Sequence, residues 1–179
     1  MFKNSFIDNI IFALFIISGI SISFFNLELY GSVFRFMPVF LLLFLIYEKN
    51  YSRFGELLFV FIATSIIGYV VKFSIKYLLN NQYLDSELLL KIAMRPINGE
   101  FDGFPSGHAL TAFIALSYAC LYSRFKWKIL IFILAILVCI SRVYSLWHTY
   151  FQVICGALGG FFISLVLFKI IYRFKSRFK

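Results

Sequence analysis

The chain has two histidines, and each stands close to an arginine. His108 closes the run Pro105-Ser106-Gly107-His108, downstream of Arg95-Pro96, and His148 follows Ser141-Arg142 by six residues. Arginine offers a planar fork of donors matched to phosphate oxygens. The Pro-Ser-Gly run opens an apolar segment, and a helix start there presents unpaired N–H groups to an anion. Ser106 adds a hydroxyl, and Gly107 lets the backbone come close to a ligand. With two imidazoles present, one can attack phosphorus while the other protonates the leaving oxygen. Phosphoryl transfer otherwise needs in-line positioning and charge stabilisation, which Arg95, Arg142 and backbone N–H groups can supply. No set of Asp, Glu and His has metal-ligand spacing, although Glu100 and Asp102 lie near His108. Neither metal nor other cofactor is expected.

The segments that must position these residues are oily. The 179 residues are 62% hydrophobic and only 14% charged, well away from soluble domains. Apolar runs near twenty residues recur, which predicts an all-α integral membrane protein of six transmembrane helices in one bundle. Residues 1–179 form a single domain, with the chemistry between 72 and 160. The spans are read at about Ile10–Phe25, Val33–Tyr47, Leu57–Leu79, Ser106–Tyr122, Lys128–Tyr144 and Tyr150–Ile171. The first is read as a retained span rather than a cleaved signal, and the residues around Glu28 and Gly31 as a loop. Arg35, at the start of the second span, is expected to snorkel to the interface. Asp85-Ser86-Glu87 should cap a short interfacial helix, Leu88 to Met94, which stops at Arg95-Pro96.

The net charge of +9 is spread over short loops and the tail, so it marks membrane topology rather than nucleic-acid binding. Lys3, Lys49, Arg53, Arg124, Lys126, Lys128, Arg173, Lys175, Arg177 and Lys179 fall on one side. That side, with both termini, is expected to be cytoplasmic, and the Arg/His clusters to face outwards. Cys120, Cys139 and Cys155 lie in apolar segments and read as packing residues. Trp147, Tyr144 and Tyr150 read as an interfacial aromatic belt. Lys72 and Lys76, four apart, share a helix face that should meet a polar cavity or the interface.

Arg95-Pro96, Pro105-Ser106-Gly107-His108 and Ser141-Arg142 with His148 together resemble the type 2 phosphatidic acid phosphatase superfamily. Its pattern is Lys-x6-Arg-Pro, Pro-Ser-Gly-His and Ser-Arg-x5-His-x3-Asp. The resemblance implies six spans and a metal-independent site on the outer face. It also implies that His148 is a nucleophile forming a phosphohistidine, with His108 as general acid and then base. Arg95, Arg142, Ser106 and Gly107 would bind the phosphate.

Two positions depart from the pattern. Leu88 stands where the first lysine belongs, so Lys91, or preferably Lys72 or Lys76, would take that role. A lysine late in the third span is similar to bacterial lipid A 1-phosphatases of the superfamily. Gln152 replaces the aspartate, as in dolichyl-diphosphatases and glucose-6-phosphatases, and would orient His148. The resemblance therefore implies a lipid phosphatase with the bilayer and a lipid phosphate as partners. Lipid A 1-phosphate ranks first, then undecaprenyl diphosphate and phosphatidylglycerophosphate. Transfer to an acceptor lipid and a non-catalytic membrane role are the other classes.

Overall fold

The structure is a computed structural model that describes residues 5–81 and 87–177. Lys3, Asp85, Ser86 and Lys179, each given a role above, lie outside the described residues. Eight helices follow one another: α1 (Ser5–Phe25), α2 (Leu27–Phe34), α3 (Met37–Tyr47), α4 (Tyr51–Asn80), α5 (Glu87–Ala93), α6 (Gly107–Tyr122), α7 (Phe125–Tyr144) and α8 (Tyr150–Arg177). Four of them, α1, α4, α7 and α8, are long and apolar enough to cross a membrane. Their outward faces carry exposed Ile, Leu, Phe and Val side chains, as a lipid-facing surface requires. The chain is an all-α integral membrane protein.

The second expected span is broken. α2 and α3 together pass as one crossing but bend by 48° at Arg35–Phe36. Pro38, near the start of α3, lacks the N–H that would bond the carbonyl of Phe34, so the helix cannot run through. The residues around Glu28 and Gly31, read above as a loop, are helical instead. Asn26 caps α2 by accepting from the N–H of Leu29 at 2.9 Å, with Glu28 in the first turn. Gly31 is required there because a Cβ would run into Ser141 Oγ and the Arg142 guanidinium.

The fourth expected span, α6, has sixteen residues and is the buried axis of the bundle. It packs against α8 almost backbone to backbone. A Cβ on Gly156 would strike the carbonyl of Ser106, and one on Gly160 the carbonyl of Leu110. Ser117 and Ser164 hydroxyls meet across the same seam at 2.6 Å. Small residues thus let two helices approach, as is common in lipid.

Buried acids hold the end of the bundle away from the histidines. Asp8 accepts from the Trp127 indole at 2.8 Å and pairs with Lys126, tying α1 to α7. Glu56 pairs with Arg53 at 2.7 Å and Lys175 at 2.6 Å, tying α4 to α8.

The α6–α8 seam gives a direct test. Gly160→Ala should lower stability by about 1–3 kcal/mol, because the clash is with backbone that cannot rotate away. Gly159→Ala, whose Cβ meets nothing within 4 Å, should not destabilise. Thermal unfolding of both variants in detergent compares them.

Candidate active site

The break between α2 and α3, the second half of α4, the start of α6 and the connections before α6 and after α7 enclose a cavity of about 450 Å³. Arg35, Lys72, Arg95, Gly107, His108 and His148 are among its lining residues, and no carboxylate is among them. The sequence-expected residues Lys72, Arg95, Gly107, His108 and His148 are therefore brought together. Ser106, Arg142 and Gln152 stand directly behind the wall, all at most 3% exposed. Lys76 pairs with Glu100 at 2.8 Å, and Lys91 pairs with Glu87 on exposed α5 at 3.5 Å. Of the three lysines weighed for the first-motif role, Lys72 is the one in the cavity.

A tight turn sets His148. After α7, Leu146 takes a left-handed conformation (φ 57°), and the His148 N–H donates to the Arg142 carbonyl at 3.1 Å. Arg142 and His148 are thereby held by one turn. Two oxygens then face Nδ1 of the ring: the Gly103 carbonyl at 2.9 Å and Gln152 Oε1 at 3.2 Å. Both are acceptors, so Nδ1 carries the proton and Nε2 keeps its lone pair.

Gln152 is itself fixed on every side. Its Nε2 donates to the carbonyls of Ile92 (2.8 Å) and Met94 (2.9 Å), which assigns the amide orientation. Its Oε1 also accepts from the Thr149 N–H at 3.0 Å, and its N–H donates to Thr149 Oγ1 at 3.3 Å. Thr149 and Gln152 thus form a reciprocal capping box at the start of α8. Gly103 has no room for a side chain, since a Cβ would press on the Gln152 amide and on the Ala93 carbonyl.

Burial pushes His148 well below the ordinary histidine range, to about 4, with the charges of Lys72 and Arg95 adding to the effect. The hydrogen bonds from Gln152 and Gly103 pull the other way. The imidazole is neutral near pH 7.

The arginines are anchored from behind. Arg95 Nε lies 2.6 Å from Asp102 Oδ1, and its guanidinium sits over the Trp147 ring, 5.2 Å from the centroid. Trp147 donates its indole N–H to Glu28 Oε1 at 2.7 Å. Arg142 donates to the Glu28 carbonyl at 2.5 Å and to Ser141 Oγ. The N-terminal amides of α6 open beside the cavity, and Ser106 Oγ is buried with no hydrogen-bond partner among the described residues.

Arg35 does not snorkel. It stands at the α2–α3 break, lines the cavity, and places Nη1 3.2 Å from His108 Nε2. Arg142 Nη1 approaches the same nitrogen at 3.4 Å. The signal was available, because an arginine inside an apolar run is a functional candidate by default. Among the described residues no three of His, Cys, Asp and Glu cluster as metal ligands would.

The all-helical membrane bundle thus carries a cation-lined cavity with two histidines at one end. Residues 53–176 match the model of the PAP2 superfamily. A lipid A 4′-phosphatase of Helicobacter pylori strain J99 is 33% identical over 155 residues, covering 86% of this chain and 71% of that relative. No solved structure matches the chain. The chain belongs to the PAP2 superfamily. It is a multi-pass phosphatase acting on a membrane lipid.

Gln152→Ala tests the support of the site. Removing the amide leaves the Ile92 and Met94 carbonyls without their donor, at a cost of about 1–3 kcal/mol. Amide exchange should speed up across Glu87–Ala93, while the centre of α7 keeps its protection.

Proposed function

We propose that the protein removes a phosphate monoester from a lipid A-type glycolipid through a phosphohistidine on His148. The observation that carries this reading is the double acceptor at His148 Nδ1, which leaves the Nε2 lone pair as the ring's free position in a cation-lined cavity. Nε2 attacks phosphorus, and the P–N bond forms as the bond to the lipid oxygen breaks. His108 passes a proton to that oxygen. Water then attacks phosphorus while His108 takes the water's proton, and inorganic phosphate leaves as the P–N bond breaks.

The arrangement of His108 suits this cycle. Arg35 and Arg142 can only donate, so His108 Nε2 is the unprotonated nitrogen beside them. A phosphate dianion between the guanidiniums offsets their charge and favours protonation of Nε2, the form that can serve the leaving oxygen. Lys72 and Arg95 bind phosphoryl oxygens near His148, with Arg142 and the amides of Gly107 and its neighbours completing the cradle. Ser106 Oγ, buried without a partner, is the hydroxyl that turns towards the phosphate. Gln152 orients the nucleophile.

The late-span lysine pointed to the 1-phosphate of lipid A. A relative named for the 4′-phosphate moves the reading to the other end of that molecule. The distribution of basic residues supports an inner-membrane protein with cytoplasmic termini and a periplasmic site.

The test is phosphate release by purified protein in detergent with EDTA. Lipid A carrying both phosphates, undecaprenyl diphosphate and phosphatidylglycerophosphate would be the substrates, with the lipid products mapped by mass and phosphorus NMR. Loss of the 4′-phosphate is expected, and His148→Asn should lower the rate by on the order of 10⁴-fold or more. Release from undecaprenyl diphosphate alone would replace the substrate class. Transfer to an added acceptor lipid without phosphate release would replace hydrolysis.

The pH profile gives a second check. His148 is held below its ordinary range, so its nucleophilic neutral form persists down to about 4. In kcat/KM, which reports the free enzyme, the acid limb belonging to His148 should fall near that value rather than near 6.5. Gln152→Glu, which places a carboxylate beside Nδ1, should move that limb to higher pH.

A further inference from the structure

The superfamily motifs begin in this chain at Lys72 or later, yet one lining cation comes from far upstream. Arg35 lies outside the matched residues 53–176 and at the break of a span. Its surroundings are not those of an arginine kept for structure. Arg53 pairs with Glu56 and Arg95 with Asp102, but no carboxylate pairs with Arg35 among the described residues. Its contacts are His108 Nε2 and the face of Phe36, 4.5 Å from the ring centroid. Its Nε is buried with no hydrogen-bond partner among the described residues. This half-buried guanidinium faces the cavity with no carboxylate paired to it among the described residues.

Lys72 and Arg95 line the cavity together with both histidines. Arg35 and Arg142 flank His108 Nε2 at 3.2 and 3.4 Å. In an in-line displacement the nucleophile and the group protonating the leaving oxygen stand on opposite sides of phosphorus. Arg35 is therefore placed on the leaving side, with donors to spare and no anion of the protein to receive them. From this we infer that Arg35 is a catalytic residue that binds a non-bridging oxygen of the transferred phosphoryl group beside His108.

The inference rests on the phosphohistidine reading above, and the test separates the two. Wild-type protein, Arg35→Ala and Arg35→Lys are compared in detergent for phosphate release from lipid A and for inhibition by orthovanadate. Vanadate mimics the five-coordinate phosphorus and carries no lipid. Arg35→Ala should lower kcat/KM by about 100-fold and weaken vanadate inhibition to a similar degree, as loss of one aimed donor does. Guanidinium ion in the buffer should restore part of both in Arg35→Ala, a response that a structural role would not give. Arg35→Lys, which keeps the charge and loses the fork, should fall between wild type and Arg35→Ala; if the alanine variant does not fold, its rate and vanadate inhibition carry the comparison. Wild-type kinetics in either variant would overturn the assignment. So would reduced turnover with unchanged vanadate inhibition, which would place Arg35 on the lipid rather than the phosphoryl group. A loss that guanidinium leaves untouched and that tracks a lowered unfolding temperature would also overturn it. Wild-type protein that neither releases phosphate nor binds vanadate would remove the underlying reading first.

Discussion

The carboxamide of Gln152 is the constraint on which the site depends. Its oxygen faces the proton of His148 and the first amide of the turn into α8. Its nitrogen holds the last carbonyls of α5. Only an amide can do both, because a carboxylate has no donor for Ile92 and Met94. One side chain therefore fixes the tautomer of the ring, starts α8 and docks the segment that leads to Arg95. Gly103 and Gly156 are bare because the side chains they would carry are displaced by Gln152 and by the backbone of Ser106.

The charges follow a consistent logic. Four cationic side chains gather around two neutral imidazoles, with Asp102 and Glu28 placed behind them rather than in the cavity. Behind the wall, the Asp102 carboxylate aims Arg95 and the Glu28 backbone carbonyl aims Arg142, leaving the field where a phosphate would sit uncancelled. At the opposite end, Asp8 and Glu56 take up basic side chains directly and close the bundle. The chain thus uses acids in two ways, as buried clamps at one end and as a part-exposed prop for Arg95 at the other.

Much of this was legible in the sequence. The two Arg/His clusters, the short helix before Arg95 and the helix start at Pro105-Ser106-Gly107 could be placed because short polar motifs stand out against an apolar background. Arg35 and Glu28 were misread for a physical reason. A hydropathy window treats a charge near the end of an apolar run as an interfacial anchor, and it cannot see that Pro38 breaks the helix there. The choice among Lys72, Lys76 and Lys91 needed three dimensions, since a helix face does not say whether it meets a cavity or an acid such as Glu100. The Thr149–Gln152 capping box was present in the letters, whereas the reach of Gln152 to α5 spans sixty residues of chain.

The shortness of α6 has a consequence for the lipid. Sixteen residues of α-helix rise only about 24 Å, against a hydrocarbon core of about 30 Å. If Tyr122 lies at its own interface, the other end of α6, which bears Ser106, Gly107 and His108, would stop short of the opposite plane of headgroups. A phosphate reaching that floor would have to sink beneath its neighbours, or the leaflet would have to dimple to meet it. Depth itself would then act as a filter: a soluble phosphate ester has no tail to draw it down, whereas an anchored lipid would already be held at the right level.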